Sequence, residues 1–351
     1  MISQFFHAWE RRLVAVDTNR LVRPFEWGLD WIDAEPGPDE TSGRRFERFA
    51  DRAMSDPDWF TAAPCQDYSL QGDALTFPSA ETTPHPENNT VRLRYFPAEQ
   101  KPNRRRATLV LPQWNSDPEA HVGLCQLLAR VGISALRLSL PYHDDRMPPE
   151  LERADYIVSP NIGRTLHANR QAVLDARRAI AWLAATGYER IGILGTSLGS
   201  CLAMLTAAHE PLVKAAALNH ISPYFADVVW EGISTKHVRD GLDGSIELDQ
   251  LRRCWLPISP QPFVERMRKT PTLLVYARYD LSFPVRLSRQ LVRDFRTHEI
   301  PHQVTVMPCG HYTIGKTPFK WLDGYTLVQF LRRHLCHRRA SLGPVGGGLS
   351  T

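Results

Sequence analysis

The sequence predicts an α/β protein with a mostly parallel central sheet, and two features of its 351 residues support this fold class. From about residue 88 to 218, short apolar runs alternate with longer segments of helical periodicity, which is typical of βαβ units. The same alternation resumes at about residue 271 and continues to about residue 335. We therefore expect one large domain over residues 88–336, with a segment of different composition inside it.

Seven segments of this domain have the composition of strands. The first alternates polar and apolar residues, as a strand with one exposed face does. Most of the others are short apolar runs of the kind buried in parallel sheets. The predicted strands span residues 91–96, 107–111, 133–138, 190–194, 213–218, 271–276 and 302–306.

Helices are predicted between these strands. In the longest of them, residues 163–186, apolar side chains recur at a spacing of 3.6 on one face, and Gly187 follows as a residue that commonly ends helices. The predicted helices span about residues 117–131, 163–186, 198–209, 285–297 and 319–335.

Three segments lie outside this alternation. Residues 1–87 form an N-terminal extension that is rich in Trp and Phe, so we expect it to pack on the main domain as short helices and loops. Residues 219–268 mix aromatic side chains with Gly, Pro and charges, and they predict an insertion over the carboxyl edge of the sheet. Residues 337–351 include three consecutive glycines and predict a flexible tail.

Composition excludes several functional classes. Hydrophobic residues make up 43% and charged residues 23% of the chain, which is ordinary for a globular protein and excludes a wholly disordered one. No apolar stretch approaches the roughly 20 residues that cross a bilayer, so no membrane span is expected. The formal net charge is only +4, and no basic face with interleaved aromatic residues is visible. Nucleic acid is therefore not an expected partner.

The first residues and the cysteines bear on location. The opening segment has too short an apolar part, and is charged too soon, to be a secretory signal. The six cysteines are scattered without a CxxC pair, which is typical of free thiols in a reducing compartment. We expect a cytoplasmic protein, and the sequence leaves its oligomeric state open.

The segment of residues 190–199, Arg-Ile-Gly-Ile-Leu-Gly-Thr-Ser-Leu-Gly, contains the clearest chemical motif. Gly195, Ser197 and Gly199 fit the pattern G-x-S-x-G, in which a tight strand-to-helix turn raises a serine hydroxyl above a sheet. A Gly/Ser-rich helix entry that binds nothing has the same pattern. Here an apolar strand precedes the motif and an Ala-rich helical segment follows it, so Ser197 is a candidate nucleophile.

A serine hydroxyl needs a base that takes its proton and an acid that orients the base. Asp280 follows one predicted strand and His311 follows the next. Either residue alone has an ordinary explanation, as a turn-forming aspartate or an exposed histidine. Because the carboxyl ends of parallel strands meet at one edge of a sheet, we expect Ser197, Asp280 and His311 to form a catalytic triad in this chain order.

These residues resemble the α/β-hydrolase superfamily, in its serine esterase and lipase-like branch, from about residue 90 to 335. The resemblance lies in the G-x-S-x-G motif around Ser197, in Asp280 with a proline four residues on, and in the Gly-His pair at His311. It implies the α/β-hydrolase fold with about eight strands, a cap formed by residues 219–268, an acyl-enzyme mechanism, and neither cofactor nor metal. The aromatic extension is similar to that of abhydrolase-domain proteins.

Two backbone N–H groups are expected to bind the oxyanion of the reaction. One belongs to Leu198, the residue after the nucleophile, and the other to Trp114, in the loop after the predicted strand 107–111. In that loop Pro112 and Gln113 replace the usual His-Gly pair of the superfamily. The side chain of Gln113 is therefore an alternative donor.

Four further residues are candidates for the lining of the substrate pocket, namely Tyr142, His143, His220 and Trp230. His143 precedes two acids in a way that resembles a metal site, but no second set of ligands accompanies it, so we expect a packing role and no metal. His220 follows a predicted strand at the catalytic edge, and a purely structural role is its alternative.

The sequence thus predicts a serine hydrolase of small-molecule carboxylic esters. A thioesterase, an acyltransferase or a peptidase would use the same triad, and the motif does not separate them. A non-catalytic binding protein on a hydrolase scaffold is a further alternative, which the three filled triad positions disfavour.

Overall fold

The structure is a computed structural model that describes residues 2–99 and 105–336. The predicted tail of residues 337–351 lies outside the described residues. Nine strands are numbered here in chain order. They are β1 (Ser69–Gln71), β2 (Ala74–Pro78), β3 (Thr90–Phe96), β4 (Arg106–Leu111), β5 (Ser134–Leu138), β6 (Arg190–Thr196), β7 (Val213–Asn219), β8 (Thr272–Ala277) and β9 (His302–Met307).

Ten α-helices accompany these strands in the described part of the chain. They are α1 (Ile2–Val14), α2 (Ser42–Ser55), α3 (Val122–Arg130), α4 (Ile162–Ala185), α5 (Leu198–His209), α6 (Phe225–Glu231), α7 (Lys236–Leu242), α8 (Leu248–Cys254), α9 (Val285–Thr297) and α10 (Phe319–Cys336). The five predicted helices correspond to α3, α4, α5, α9 and α10, with α3 starting five residues later than expected.

All nine strands form one sheet in the order β1-β2-β3-β5-β4-β6-β7-β8-β9. The pairs β1–β2, β2–β3 and β3–β5 are antiparallel, and every pair from β5 through β4 to β9 is parallel. This arrangement confirms the predicted α/β-hydrolase fold. The sheet has nine strands where about eight were expected.

Two hydrophobic layers cover the two faces of the sheet. Successive residues of β4 point into opposite layers, since Leu109 packs with α4 and α5 while Val110 packs with α3 and α10. Burial on both faces explains why these strands are continuous apolar runs in the sequence. It also leaves the loops at the carboxyl edge of the parallel strands free to form a site.

The N-terminal extension differs from the prediction of short helices and loops, because β1 and β2 form a hairpin that extends the sheet. Gly72 occupies its turn with φ +63°. All three residues of β1 are exposed, so the hairpin has no hydrophobic alternation that would indicate a strand. Three short helices, α6 to α8, lie within the predicted cap segment 219–268. Within residues 2–99 and 105–336, no helix combines the length and the apolar character needed to cross a membrane.

Candidate active site

The turn between β6 and α5 holds Ser197 in a strained backbone conformation. Its φ and ψ are 56° and −121°, outside the regions that residues with side chains favour. A Cβ on Gly195 would lie 2.0 Å from the carbonyl oxygen of Gly199, and one on Gly199 would lie 2.2 Å from that of Leu111. The glycines therefore allow backbone contacts that any side chain would prevent. Strain of about 1–3 kcal/mol is typical of functional turns such as this one.

The structure brings the three predicted triad residues together. His311 Nε2 lies 3.1 Å from Ser197 Oγ, and His311 Nδ1 lies 3.0 Å from Asp280 Oδ2. Ser197 and Asp280 are buried, with 8% and 4% of their surface exposed. Both distances are within hydrogen-bond range, so a proton on the serine hydroxyl has a direct acceptor and the imidazole has a fixed orientation.

Asp280 accepts four hydrogen bonds, two at each oxygen. Its Oδ1 accepts from the backbone N–H groups of Ser282 and Phe283 at 2.8 and 2.7 Å. Its Oδ2 faces Nδ1 of His311 and also Nδ1 of His220, the latter at 2.8 Å. The carboxylate is therefore held by the start of its own loop and shared by two imidazoles.

Charge in this cluster favours a neutral His220 and a basic His311. Burial raises the pKa of Asp280, but the charge of His311 and the two imidazole hydrogen bonds outweigh it and leave that pKa below its ordinary value. Burial and the neighbouring His311 lower the pKa of His220. For His311, burial lowers the pKa, yet the carboxylates of Asp280 and Glu10 raise it further, so its net pKa is raised.

The ligand atoms of His220, Asp280 and His311 lie within 4.8 Å of one another, a spacing that could hold a metal ion. The hydrogen bonds do not fit that use. Both Nδ1 atoms face the same carboxylate oxygen, so each donates a proton to it and has no free lone pair. His311 Nε2 faces Ser197, which leaves one nitrogen, Nε2 of His220, free to coordinate. We assign no metal to this cluster.

The loop after β4 carries the predicted second oxyanion donor, Trp114. Among the described residues, the backbone N–H groups of Leu198 and Trp114 donate to no protein acceptor. The indole of Trp114 donates to the carbonyl of Ala154 at 2.8 Å and stacks on His237. These contacts hold the residue in place while its backbone N–H remains unpaired.

His143 supports this loop from behind. Its Nε2 accepts the backbone N–H of Asn115 at 2.9 Å, and its Nδ1 donates to the carbonyl of Pro141 at 3.0 Å. Burial lowers its pKa to about 4, so the ring is neutral near pH 7 and keeps both bonds. The packing role expected for His143 from the sequence agrees with this placement.

Two spaces meet at Ser197 and Trp114. The first, called here the narrow pocket, has a volume of about 50 Å³ and is lined mainly by apolar side chains such as Val158, Val229 and Phe225. The second, called here the wide cavity, has a volume of about 640 Å³, and His311 lies in its wall. The nucleophile is therefore accessible from both sides.

The predicted pocket residues divide between these spaces and the protein interior. Gln113 and His220 line the wide cavity. Tyr142, His143 and Trp230 line neither the narrow pocket nor the wide cavity. Tyr142 is fully buried behind the site, and Trp230 packs under the guanidinium of Arg239 in the cap segment.

Glu10, on helix α1 of the extension, is a site residue that sequence reasoning missed. It is fully buried, and its carboxylate accepts the backbone N–H groups of Tyr312 and Thr313 at 2.9 and 2.8 Å. A Cβ on Gly310 would lie 2.4 Å from its Cδ, so the glycine before His311 makes room for it. Only the separation of 302 residues between Glu10 and Tyr312 hides this contact from a reading of local patterns.

The fold and the serine–histidine–aspartate cluster define a serine hydrolase of the α/β-hydrolase superfamily. A sequence profile described as the Dienelactone hydrolase family matches residues 95–313, which is more than half of the chain. The chain belongs to that family. A comparison with curated protein sequences finds none that matches it.

Solved structures with the same fold include three hydrolases. An acylaminoacyl peptidase from Pyrococcus horikoshii is 14% identical with a TM-score of 0.58, and the match covers 79% of this chain but 44% of the peptidase. An acetyl xylan esterase from Paenibacillus sp. R4 is 16% identical with a TM-score of 0.58, over 85% of this chain and 97% of the esterase. Acetyl xylan esterase 1 from Thermoanaerobacterium sp. JW/SL YS485 is 15% identical with a TM-score of 0.57, over 81% and 93%. At these identities the likeness concerns the fold.

Proposed function

We propose that this protein hydrolyses small carboxylic esters through an acyl-enzyme intermediate, with Ser197 as nucleophile, His311 as general base and acid, and Asp280 as the orienting carboxylate. The observation that carries the proposal is the continuous hydrogen-bond chain from Ser197 Oγ through the imidazole to Asp280, at 3.1 and 3.0 Å. Membership of the Dienelactone hydrolase family supports ester hydrolysis as the reaction class.

In the first half of the reaction, Ser197 Oγ bonds to the acyl carbon while its proton passes to His311 Nε2. The carbonyl oxygen becomes an oxyanion, which the N–H groups of Leu198 and Trp114 stabilise. Losing one such donor typically costs about 10²–10³ in turnover. The bond to the alcohol then breaks, and His311 returns the proton to the leaving oxygen.

In the second half, water attacks the acyl-enzyme. His311 takes a proton from the water, the bond to Ser197 Oγ breaks, and the carboxylic acid leaves. Asp280 keeps the imidazole in the tautomer with Nδ1–H throughout, and its charge stabilises the imidazolium formed in each half.

The narrow pocket is proposed to hold the acyl group. The leaving oxygen must lie near His311, which lines the wide cavity, so the acyl part points into the space on the other side of Ser197. A water-sized group needs about 10–15 Å³ of such space, so a pocket of about 50 Å³ holds roughly four carbon-sized groups. Acetyl to butyryl esters are the expected substrates.

Parallel assays with phenyl acetate, an acetyl thioester and an acetylated anilide test the reaction class. We expect the aryl ester to be hydrolysed fastest and the Ser197→Ala variant to be inactive on all three. Preference for the thioester or the anilide would replace the proposed reaction with one of the alternatives. Equal activity of the wild type and the Ser197→Ala variant would exclude the mechanism.

We also propose a cytoplasmic location for the enzyme. All six cysteines are free thiols, which fits a reducing compartment. Burial raises the pKa of Cys125 and Cys254 to about 12, so these thiols stay protonated. Fractionation of cells that express the tagged full-length chain tests this location.

A further inference from the structure

The wall of the wide cavity contains three buried acceptor atoms that have no partner among the described residues. They are Oδ1 of Asn219, Nε2 of His220 and Oδ1 of Asp323. Each of these residues lines the cavity together with Ser197 and His311. Asn219 and His220 are each only 1% exposed. Buried polar atoms are normally hydrogen-bonded, so unpartnered ones that face a cavity indicate a ligand or solvent that bonds there.

Hydrogen bonds on the opposite side of each group determine that these atoms accept. Asn219 donates its Nδ2 to Asp323 Oδ2 at 2.9 Å, so its oxygen is the atom left free. His220 donates its Nδ1 to Asp280 at 2.8 Å, so a neutral ring presents the lone pair of Nε2. Burial raises the pKa of Asp323 to about 7, and near neutral pH its free oxygen therefore accepts or donates according to protonation.

The charges around the cavity disfavour a cationic ligand. Arg20, Arg153 and Lys320 line the same space, against the carboxylates of Asp17 and Asp323. An ammonium group would meet this excess of positive charge, and an anion would meet a row of acceptor atoms. Neutral hydroxyl groups, which both donate and accept, satisfy the wall without either conflict.

We propose that Asn219, His220 and Asp323 form a hydroxyl-binding subsite for the alcohol part of the ester, so that the substrates are short-chain acyl esters of polyhydroxylated alcohols such as sugars. The inference rests on the proposed function, because it places the leaving alcohol in the space beside His311. A cavity of about 640 Å³ is large enough for such an alcohol, whereas the narrow pocket is not.

Two acetyl esters of similar size test the subsite. One is the acetate of methyl glucoside at its primary hydroxyl, and the other is cyclohexylmethyl acetate, which has the ring but no hydroxyl groups. We expect the wild type to favour the sugar ester by about 10- to 100-fold in kcat/KM, since each of two or three net hydrogen bonds contributes roughly fivefold. Equal kcat/KM values would overturn the subsite and leave ester hydrolysis intact.

The Asp323→Leu variant removes one acceptor at similar volume. We expect the preference for the sugar ester to fall by about fivefold or more. Gln329→Leu is the matched control, because Gln329 is exposed on the same helix and lies outside the wide cavity, and it should keep the wild-type preference. An equal loss of kcat/KM for both esters in Asp323→Leu would mean that Asp323 has only a structural role.

Inhibition of the wild type provides a measurement that needs no folded variant. Methyl glucoside should inhibit hydrolysis of phenyl acetate competitively at lower concentration than cyclohexylmethanol does. The opposite order would show that only water bonds to the three atoms, and would overturn the proposal. If neither acetate nor phenyl acetate is hydrolysed, the proposed function itself fails, which is a separate result.

Discussion

The contact between Glu10 and the loop of His311 gives the sharpest prediction about the N-terminal extension. Glu10→Gln keeps the size of the side chain but replaces one of its two acceptor oxygens by an NH₂ group. One of the two backbone bonds, at 2.9 Å to Tyr312 or 2.8 Å to Thr313, is then lost. A hydrogen bond to a charged group contributes about 1.5–3 kcal/mol, so we expect the free energy of unfolding to fall by that amount.

The same substitution should also change the pH profile. The base must be neutral to accept the proton of Ser197, so kcat/KM rises as the pH passes the pKa of His311. The negative charge of Glu10 contributes to raising that pKa, after the stronger effect of Asp280. Removing the charge therefore lowers the pKa of His311, and the acid limb of the profile moves to lower pH.

Urea unfolding and steady-state hydrolysis of phenyl acetate across pH measure the two effects. Gln4→Ala, at an exposed position of the same helix, is the control and should change neither quantity. A destabilised Glu10→Gln variant with an unmoved acid limb would mean that Glu10 only holds the loop. If both the limb and the unfolding free energy stay at wild-type values, the contact with the His311 loop has no role.

The site geometry leads to three further predictions. Asp280→Asn should lower kcat by about 10⁴ in steady-state assays with little change in KM, because it disturbs the imidazole tautomer; a rate near wild type would mean that another carboxylate orients His311. His143→Phe removes the acceptor of the Asn115 N–H and should lower kcat by up to about 10²-fold through displacement of the oxyanion loop; unchanged turnover would separate that loop from catalysis. Phenyl octanoate should have a kcat/KM at least about tenfold below that of phenyl acetate, because the narrow pocket excludes a long chain. A preference for the octanoate would place the acyl group in the wide cavity.

The sequence predicts those parts of the fold and site that have local signals. Strands such as β4 and β6 are buried on both faces, so they are visible as continuous apolar runs. The turn of Ser197 requires glycines two residues before and after it, and the order of the strands then places Asp280 and His311 at the same edge. These constraints are local or follow from topology, which is why they can be derived without coordinates.

Other features depend on contacts between distant segments and have no such signal. The hairpin β1–β2 is exposed and too short for an alternating pattern, so the extension did not predict it. Glu10 and Asp323 are single acids on helices, and nothing nearby distinguishes them from solvated residues. His143 follows a strand at the catalytic edge, as a pocket residue would, but its ring points to the loop of Asn115 rather than to either cavity.

The most direct measurement is the identification of the acyl-enzyme. The full-length protein is mixed with phenyl acetate, quenched in acid within the first turnovers, digested, and analysed by mass spectrometry. An acetyl group on Ser197, absent when the protein is unfolded before mixing, is the predicted result. Acetylation of a different residue, or rapid product release with Ser197 never modified, would contradict the account of this site.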